Sequence, residues 1–150
     1  MAKNTANHAF RKIDVDQYNE DLYREEEAGD AANTGPDEAQ LQQLLSAGKN
    51  TDALQYVLQQ APAGSRSQAA KDAALQAVMR VLTAFRTADM EAAVRSLSPD
   101  QCDLLMKYVY RGFEVPCEGS SGQLLAWHER LYAVGGVGSI VRVLTDRKRV

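Results

Sequence analysis

The stretch from residue 98 to residue 113, SPDQCDLLMKYVYRGF, constrains the fold more than any other part of the chain. On a helix its charged side chains form one narrow polar stripe, and the remaining circumference is apolar or aromatic. A single neighbour would leave much of that apolar surface in water, so several other elements must pack around it. The stretch therefore predicts a central helix, with Leu105 and Val109 in the core. The stripe consists of Asp100, Asp103, Lys107 and Arg111.

The two ends of this predicted helix carry their own signals. Ser98 can accept hydrogen bonds from the free amides of the first turn, and Pro99 suits the first helical position. At the other end, Gly112 predicts that the helix stops, because glycine is the residue most often found just past a helix end.

After Pro36 the chain predicts consecutive helices with short connections, which place successive helices antiparallel. The longest amphipathic stretch, residues 67–86, carries Val81 and Phe85 on its apolar face and assigns both to the core. The predicted fold is all-α, a compact array of about seven helices around the central apolar helix, within a core domain of residues 37–150. The predicted helices cover residues 37–47, 50–61, 67–86, 89–97, 98–113, 121–134 and 139 onward.

Residues 1–36 are predicted to form an extended, acidic N-terminal tail. They hold four basic and eight acidic residues, a net charge of −4 within a chain whose net charge is −3. Such a segment buries too little apolar surface to offset its ordering entropy. It nevertheless contains a short apolar strip, which alternates with charged residues and is typical of a peptide that lies extended in a groove of another protein. A tail that packs on its own core is the alternative. The strip consists of Phe10, Ile13, Val15 and Tyr18.

Charge and composition exclude several classes of function. The core carries a net charge of about +1, so no strongly basic domain is present to neutralise a phosphate backbone, and we expect no nucleic-acid partner. No apolar run approaches the roughly 18 residues of a membrane-spanning helix, and the first residues lack the apolar segment of a signal peptide. We expect a cytoplasmic protein without a membrane partner. Cys102 and Cys117 have no metal-ligand spacing and are expected to be free thiols.

Two features could suggest small-molecule chemistry, and each has a stronger structural explanation. Residues 135–139, GGVGS, could offer backbone amides to an anion, but neither a preceding strand nor a Lys before the Ser is present. A flexible joint between two helices is favoured. His128 would need converging partners to act as a general base, and the other histidine, His8, lies in the tail. We therefore expect no enzymatic activity, no cofactor and no metal site.

The second half of the core is rich in aromatic side chains and ends in basic residues. Large aromatic residues and arginines anchor many protein interfaces, although they are also ordinary core and surface residues. Trp127, Tyr132, Arg142 and Arg147 are the candidates for contact with a partner on this domain.

Several segments resemble one known family closely. They are residues 103–114 (DLLMKYVYRGFE), 124–129 (LLAWHE) and 135–145 (GGVGSIVRVLT), together with 3–5 (KNT) and 10–16 (FRKIDVD) near the beginning. On these segments the chain is similar to the sixteen-kilodalton subunit, subunit five, of the actin-related protein 2/3 complex. It departs from that family mainly in residues 22–34 and 116–122.

The resemblance implies a non-catalytic structural subunit of a seven-subunit assembly that nucleates new actin filaments as branches from existing ones. It also implies an all-helical core that docks on other subunits, including the β-propeller scaffold subunit, and localisation to the actin cytoskeleton. The N-terminal tail would tether the second actin-related subunit, with Phe10, Arg11, Ile13, Val15 and Tyr18 as candidate contacts. A free-standing helical adaptor that binds another protein through the tail strip is the alternative, and an enzyme that uses His128 or Cys102 is a third class.

Overall fold

The computed structural model describes residues 35–62, 65, 67–115, 119–146 and 150. Within these residues the chain forms six helices and no strand, which confirms the all-α prediction. The tail residues predicted to bind a partner, and Cys117 and Arg147, lie outside the described residues. The helices are α1 (Glu38–Ser46), α2 (Asn50–Gln59), α3 (Gln68–Ala84), α4 (Thr87–Arg95), α5 (Pro99–Glu114) and α6 (Ser121–Thr145).

The start of α5 is fixed by a reciprocal pair of hydrogen bonds. The Ser98 hydroxyl accepts from the amide of Gln101 at 3.2 Å, and the Gln101 side chain accepts from the amide of Ser98 at 3.0 Å. These bonds satisfy two backbone donors that the first helical turn would otherwise leave free. Pro99 occupies the first helical position, as the sequence predicts.

The predicted end of α5 at Gly112 is wrong, because the helix continues through this residue to Glu114. A Cβ at Gly112 would lie 3.1 Å from Leu124 Cδ1 and 3.1 Å from Met79 Sδ. The glycine is therefore a point of close approach to neighbouring side chains from α3 and α6, and it does not reverse the chain.

The count of about seven helices becomes six because the last two predicted helices follow each other directly across a kink and are counted together as α6. Gly136 interrupts α6 with φ 58° and ψ −163°, a conformation that glycine adopts far more readily than other residues. The joint predicted at residues 135–138 is therefore a kink, not a loop. Immediately after it, the Ser139 hydroxyl donates to the carbonyl of Gly136 at 2.8 Å.

Helix α5 packs against α2, α3 and α6, as expected of a central helix. Leu105 and Val109 on α5 and Val81 on α3 have no exposed surface, and Phe85 is also buried. The Tyr108 side chain lies in the same core with its hydroxyl buried, and this oxygen has no hydrogen-bond partner among the described residues. Burial raises the pKa of Tyr108 to about 12.

Candidate partner-binding surface on α6

The first half of α6 turns one face into the core. Trp127 is completely buried on this face, with its ring edge-on to Phe85 at a centroid distance of 5.1 Å. Its indole N–H donates to the carbonyl of Leu82 at 3.2 Å, and the Gln123 amide donates to the same carbonyl and to that of Phe85, at 3.2 and 2.7 Å. Helix α6 thus satisfies carbonyl groups at the C-terminal end of α3. Trp127 was a candidate for partner contact, but its side chain is enclosed and cannot touch a partner in this conformation.

Next to this buried face, His128 and Tyr132 of α6 form a half-exposed aromatic patch with Tyr110 and Phe113 of α5. The Tyr110 ring lies 6.3 Å from Phe113 and 5.6 Å from His128, and the His128 ring stacks on Tyr132 with an interplanar angle of 7°. The Tyr110 hydroxyl is within hydrogen-bond distance of His128 Nε2, at 3.3 Å. Tyr132, the second sequence candidate, is 42% exposed and lies at the edge of this patch.

Beyond the kink, residues 137–146 form a segment that we call the α6 arm. Val137, Val141 and Leu144 follow each other at i, i+4 and i+7, so they lie on one face of the helix. This arm face is exposed, with exposed fractions of 61%, 50% and 71% respectively, and Leu144 also borders a cleft beside α5. Large contiguous apolar side chains in water are the usual mark of an interaction surface.

The other side of the arm meets the polar stripe of α5 through ion pairs. The Arg142 guanidinium donates from Nε to Asp103 Oδ2 at 2.5 Å and from Nη2 to Asp103 Oδ1 at 2.8 Å. The Lys107 ammonium pairs with the carboxylate of Asp146. The hydrogen bond to Asp103 raises the pKa of Arg142 above its ordinary value. Arg142 is also a candidate for partner contact; it forms a bidentate ion pair within the chain, but 54% of its side chain is exposed, so partner contact through it stays a prediction.

The outward direction of the arm face is the feature that sequence reasoning missed. Val141 and Leu144 are two of four apolar residues in the last predicted helix, and the apolar pattern alone does not separate them from Ile140 and Val143. The signal was nevertheless present, because Ser139, Arg142 and Asp146 share the opposite side at helical spacing and complement the charged stripe of α5.

The described residues bring together no set of groups with catalytic or metal-binding geometry. No three or more His, Cys, Asp or Glu side chains are placed to hold a metal ion in this part of the chain. Burial, and secondarily the charge of Asp103, raise the pKa of the Cys102 thiol, which disfavours the reactive thiolate. Among the helices described here, none combines the length and apolar character that a membrane crossing requires.

Comparison with known proteins gives a consistent result along nearly the whole chain. The family described as ARP2/3 complex 16 kDa subunit (p16-Arc) matches residues 9–150. Actin-related protein 2/3 complex subunit 5-C of Xenopus laevis is 49% identical over 150 residues, covering 100% of both chains. The human subunit 5-like protein is 46% identical over 153 residues with the same coverage. A Caenorhabditis elegans protein named as a probable subunit 5 is 37% identical, over 91% of this chain and 97% of its own. The chain therefore belongs to the family of the sixteen-kilodalton subunit, p16-Arc, of the ARP2/3 complex.

Proposed function

We propose that this chain is a non-catalytic structural subunit of an actin-related protein 2/3 complex and supports nucleation of branched actin filaments by that assembly. The observation that carries the proposal is the similarity over the full length of both chains to a relative named as subunit 5 of this complex. A helical domain with an exposed apolar face supports this proposal, because such a face can bind a neighbouring subunit.

We assign the arm face and Tyr132 to contacts of the core with other subunits, and the β-propeller scaffold subunit is the expected neighbour. The arm turns its charged residues toward its own body and its apolar residues outward, the reverse of what water favours for an isolated protein. Burying the arm face against a neighbour would remove this apolar surface from water. Tyr132 supplies a large aromatic side chain with a polar tip, a residue type that is frequent at interface centres.

The tail supplies the second contact in this proposal. Its apolar strip, Phe10, Ile13, Val15 and Tyr18, with Arg11 beside it, would bind the second actin-related subunit in an extended conformation. Because the core is held by other subunits, the strip would act at a high effective concentration, so even weak contacts would hold their target.

The core contact is tested by placing charge on the arm face. In the double variant Val141→Asp, Leu144→Asp, two exposed apolar side chains become carboxylates, which an apolar interface excludes. We expect the variant to fold normally, since both residues are exposed, and to lose most of its incorporation when the complex is reconstituted from its subunits. Gln76→Asp is the matched control, because it adds a carboxylate at an exposed site on α3 and should incorporate normally. Normal incorporation of the double variant would remove the arm face from the proposal.

The tail contact is tested by deleting residues 1–20. The truncated chain should still enter the complex through its core, while the second actin-related subunit dissociates more readily and branching falls. Normal branching by a complex that carries the truncated chain would refute the tethering role and leave the core assignment standing.

A further inference from the structure

We propose that the α6 arm is a separately opening unit, hinged at Gly136 and latched to α5 by two ion pairs. This inference concerns the isolated fold and does not depend on the proposed partners. The hinge lies in the kink described above, where the backbone of Gly136 has already left the helical region. A change of its φ and ψ angles would swing the arm without disturbing the packed first half of α6.

The arm has little apolar attachment to the body. Of its ten residues, all of them described, Ser139 alone is buried, while Ile140 and Val143 are half-buried. The first half of α6 differs, because Leu124 and Trp127 are both buried there. A segment with few buried apolar contacts has a low free energy of local opening, even when the rest of the domain is stable.

Two open clefts flank the contact between the arm and α5. Leu104 and Thr145 help to line one cleft, and Tyr110 and Leu144 help to line the other. Lys107 and Asp146 line both, so their ion pair bridges the space between the clefts. Two ion pairs, Lys107 with Asp146 and Arg142 with Asp103, cross this seam beside the half-buried side chain of Val143.

Attachment of the arm by ion pairs differs from attachment by apolar packing in two measurable ways. Ion pairs that water can reach weaken as salt rises, because the screening length falls from about 10 Å at 0.1 M to about 3 Å at 1 M. Removal of either partner of a pair also has the same effect as removal of both, whereas independent residues contribute additively. The arm should show both properties.

Amide hydrogen exchange of the full-length chain tests the proposal. In Asp103→Asn and in Arg142→Gln, exchange of the amides of residues 140–146 should become about two- to five-fold faster, the upper part of the range expected for loss of a solvent-accessible ion pair. The double variant should exchange no faster than either single variant. The same amides should exchange faster at 1 M than at 0.1 M NaCl in the unmodified chain, and this salt effect should shrink in the variants.

Arg95→Gln is the matched control, because it removes an exposed ion pair with Glu91 that lies within α4. It should leave exchange in the arm unchanged. The proposal is overturned if neither single variant accelerates exchange in the arm, or if α3 and α5 accelerate by the same factor, which would mean that the pairs stabilise the whole domain. Additive effects in the double variant would equally reject a latch formed by Asp103 with Arg142.

Discussion

Substitution of Tyr108 by Phe is expected to stabilise the protein, although it removes a polar group from the centre of the fold. The Tyr108 hydroxyl is completely buried and has no hydrogen-bond partner among the described residues. A buried polar group without a partner costs about 1–3 kcal/mol of desolvation. Loss of the oxygen also removes some van der Waals contacts and leaves a small void. These losses reduce the gain in stability by roughly 0.3–0.5 kcal/mol. The net gain in the free energy of unfolding should be about 0.5–2.7 kcal/mol, the difference between these two contributions.

The pH dependence gives an independent check on the same hydroxyl. Burial raises the pKa of Tyr108 to about 12 in the folded chain, whereas an exposed tyrosine in the unfolded chain titrates near its ordinary value of about 10. Between these values the unfolded state binds fewer protons than the folded state, so stability falls as pH rises above about 10. The slope can reach about 1.4 kcal/mol per pH unit. Tyr108→Phe has no hydroxyl to titrate. The difference in the free energy of unfolding between this variant and the unmodified chain should therefore grow between pH 9 and pH 11.

Urea unfolding followed by circular dichroism measures both effects. Tyr56→Phe is the matched control, because the Tyr56 hydroxyl accepts a hydrogen bond from the amide of Asp37 at 3.0 Å. This control should lose about 0.5–1.5 kcal/mol, the opposite sign. If Tyr108→Phe instead destabilised the protein by a similar amount, the hydroxyl would have a partner and the reasoning would be refuted.

Three further substitutions follow from the same packing. Leu105→Ala should destabilise the protein by about 2–5 kcal/mol in urea unfolding, because a cavity opens around a completely buried side chain, and a loss below 1 kcal/mol would contradict the central position of α5. Gly136→Ala should cost about 1–3 kcal/mol, since the φ of 58° and ψ of −163° at this residue are strained for any side chain. The comparison is Gly122→Ala, whose Cβ would meet nothing within 4 Å and which should be neutral or slightly stabilising. Gly112→Ala should destabilise through contact with Leu124 and Met79, and unchanged stability would show that these side chains can move aside.

Much of the fold could be predicted from the spacing of apolar residues. The stripe of charges in residues 98–113 predicted that α5 is central, and Ser98 predicted its first turn, because both depend on local helical geometry. The roles of Gly112 and Gly136 could not be separated in this way. Glycine serves both at helix ends and at close packing contacts, and only the position of Leu124 against Gly112 distinguishes them.

The candidate surface was harder to predict than the core. A tryptophan and an arginine are equally suited to an interface and to the interior of a domain, so residue type alone could not place Trp127 in the core or pair Arg142 with Asp103. The side of the arm that faces α5 is set by the ion pair between Arg142 and Asp103, which lie 39 positions apart in the chain. Sequence periodicity describes one helix at a time and does not report such a contact.

The central claim is that this chain acts by binding neighbouring subunits and carries out no reaction of its own. Purification of the tagged full-length chain from cell extract at low salt, with identification of the bound proteins by mass spectrometry, tests it most directly. The account predicts that both actin-related proteins and the β-propeller subunit co-purify in equal amounts with the chain. Recovery of the chain as a monomer, or with partners that include no actin-related protein, would contradict it.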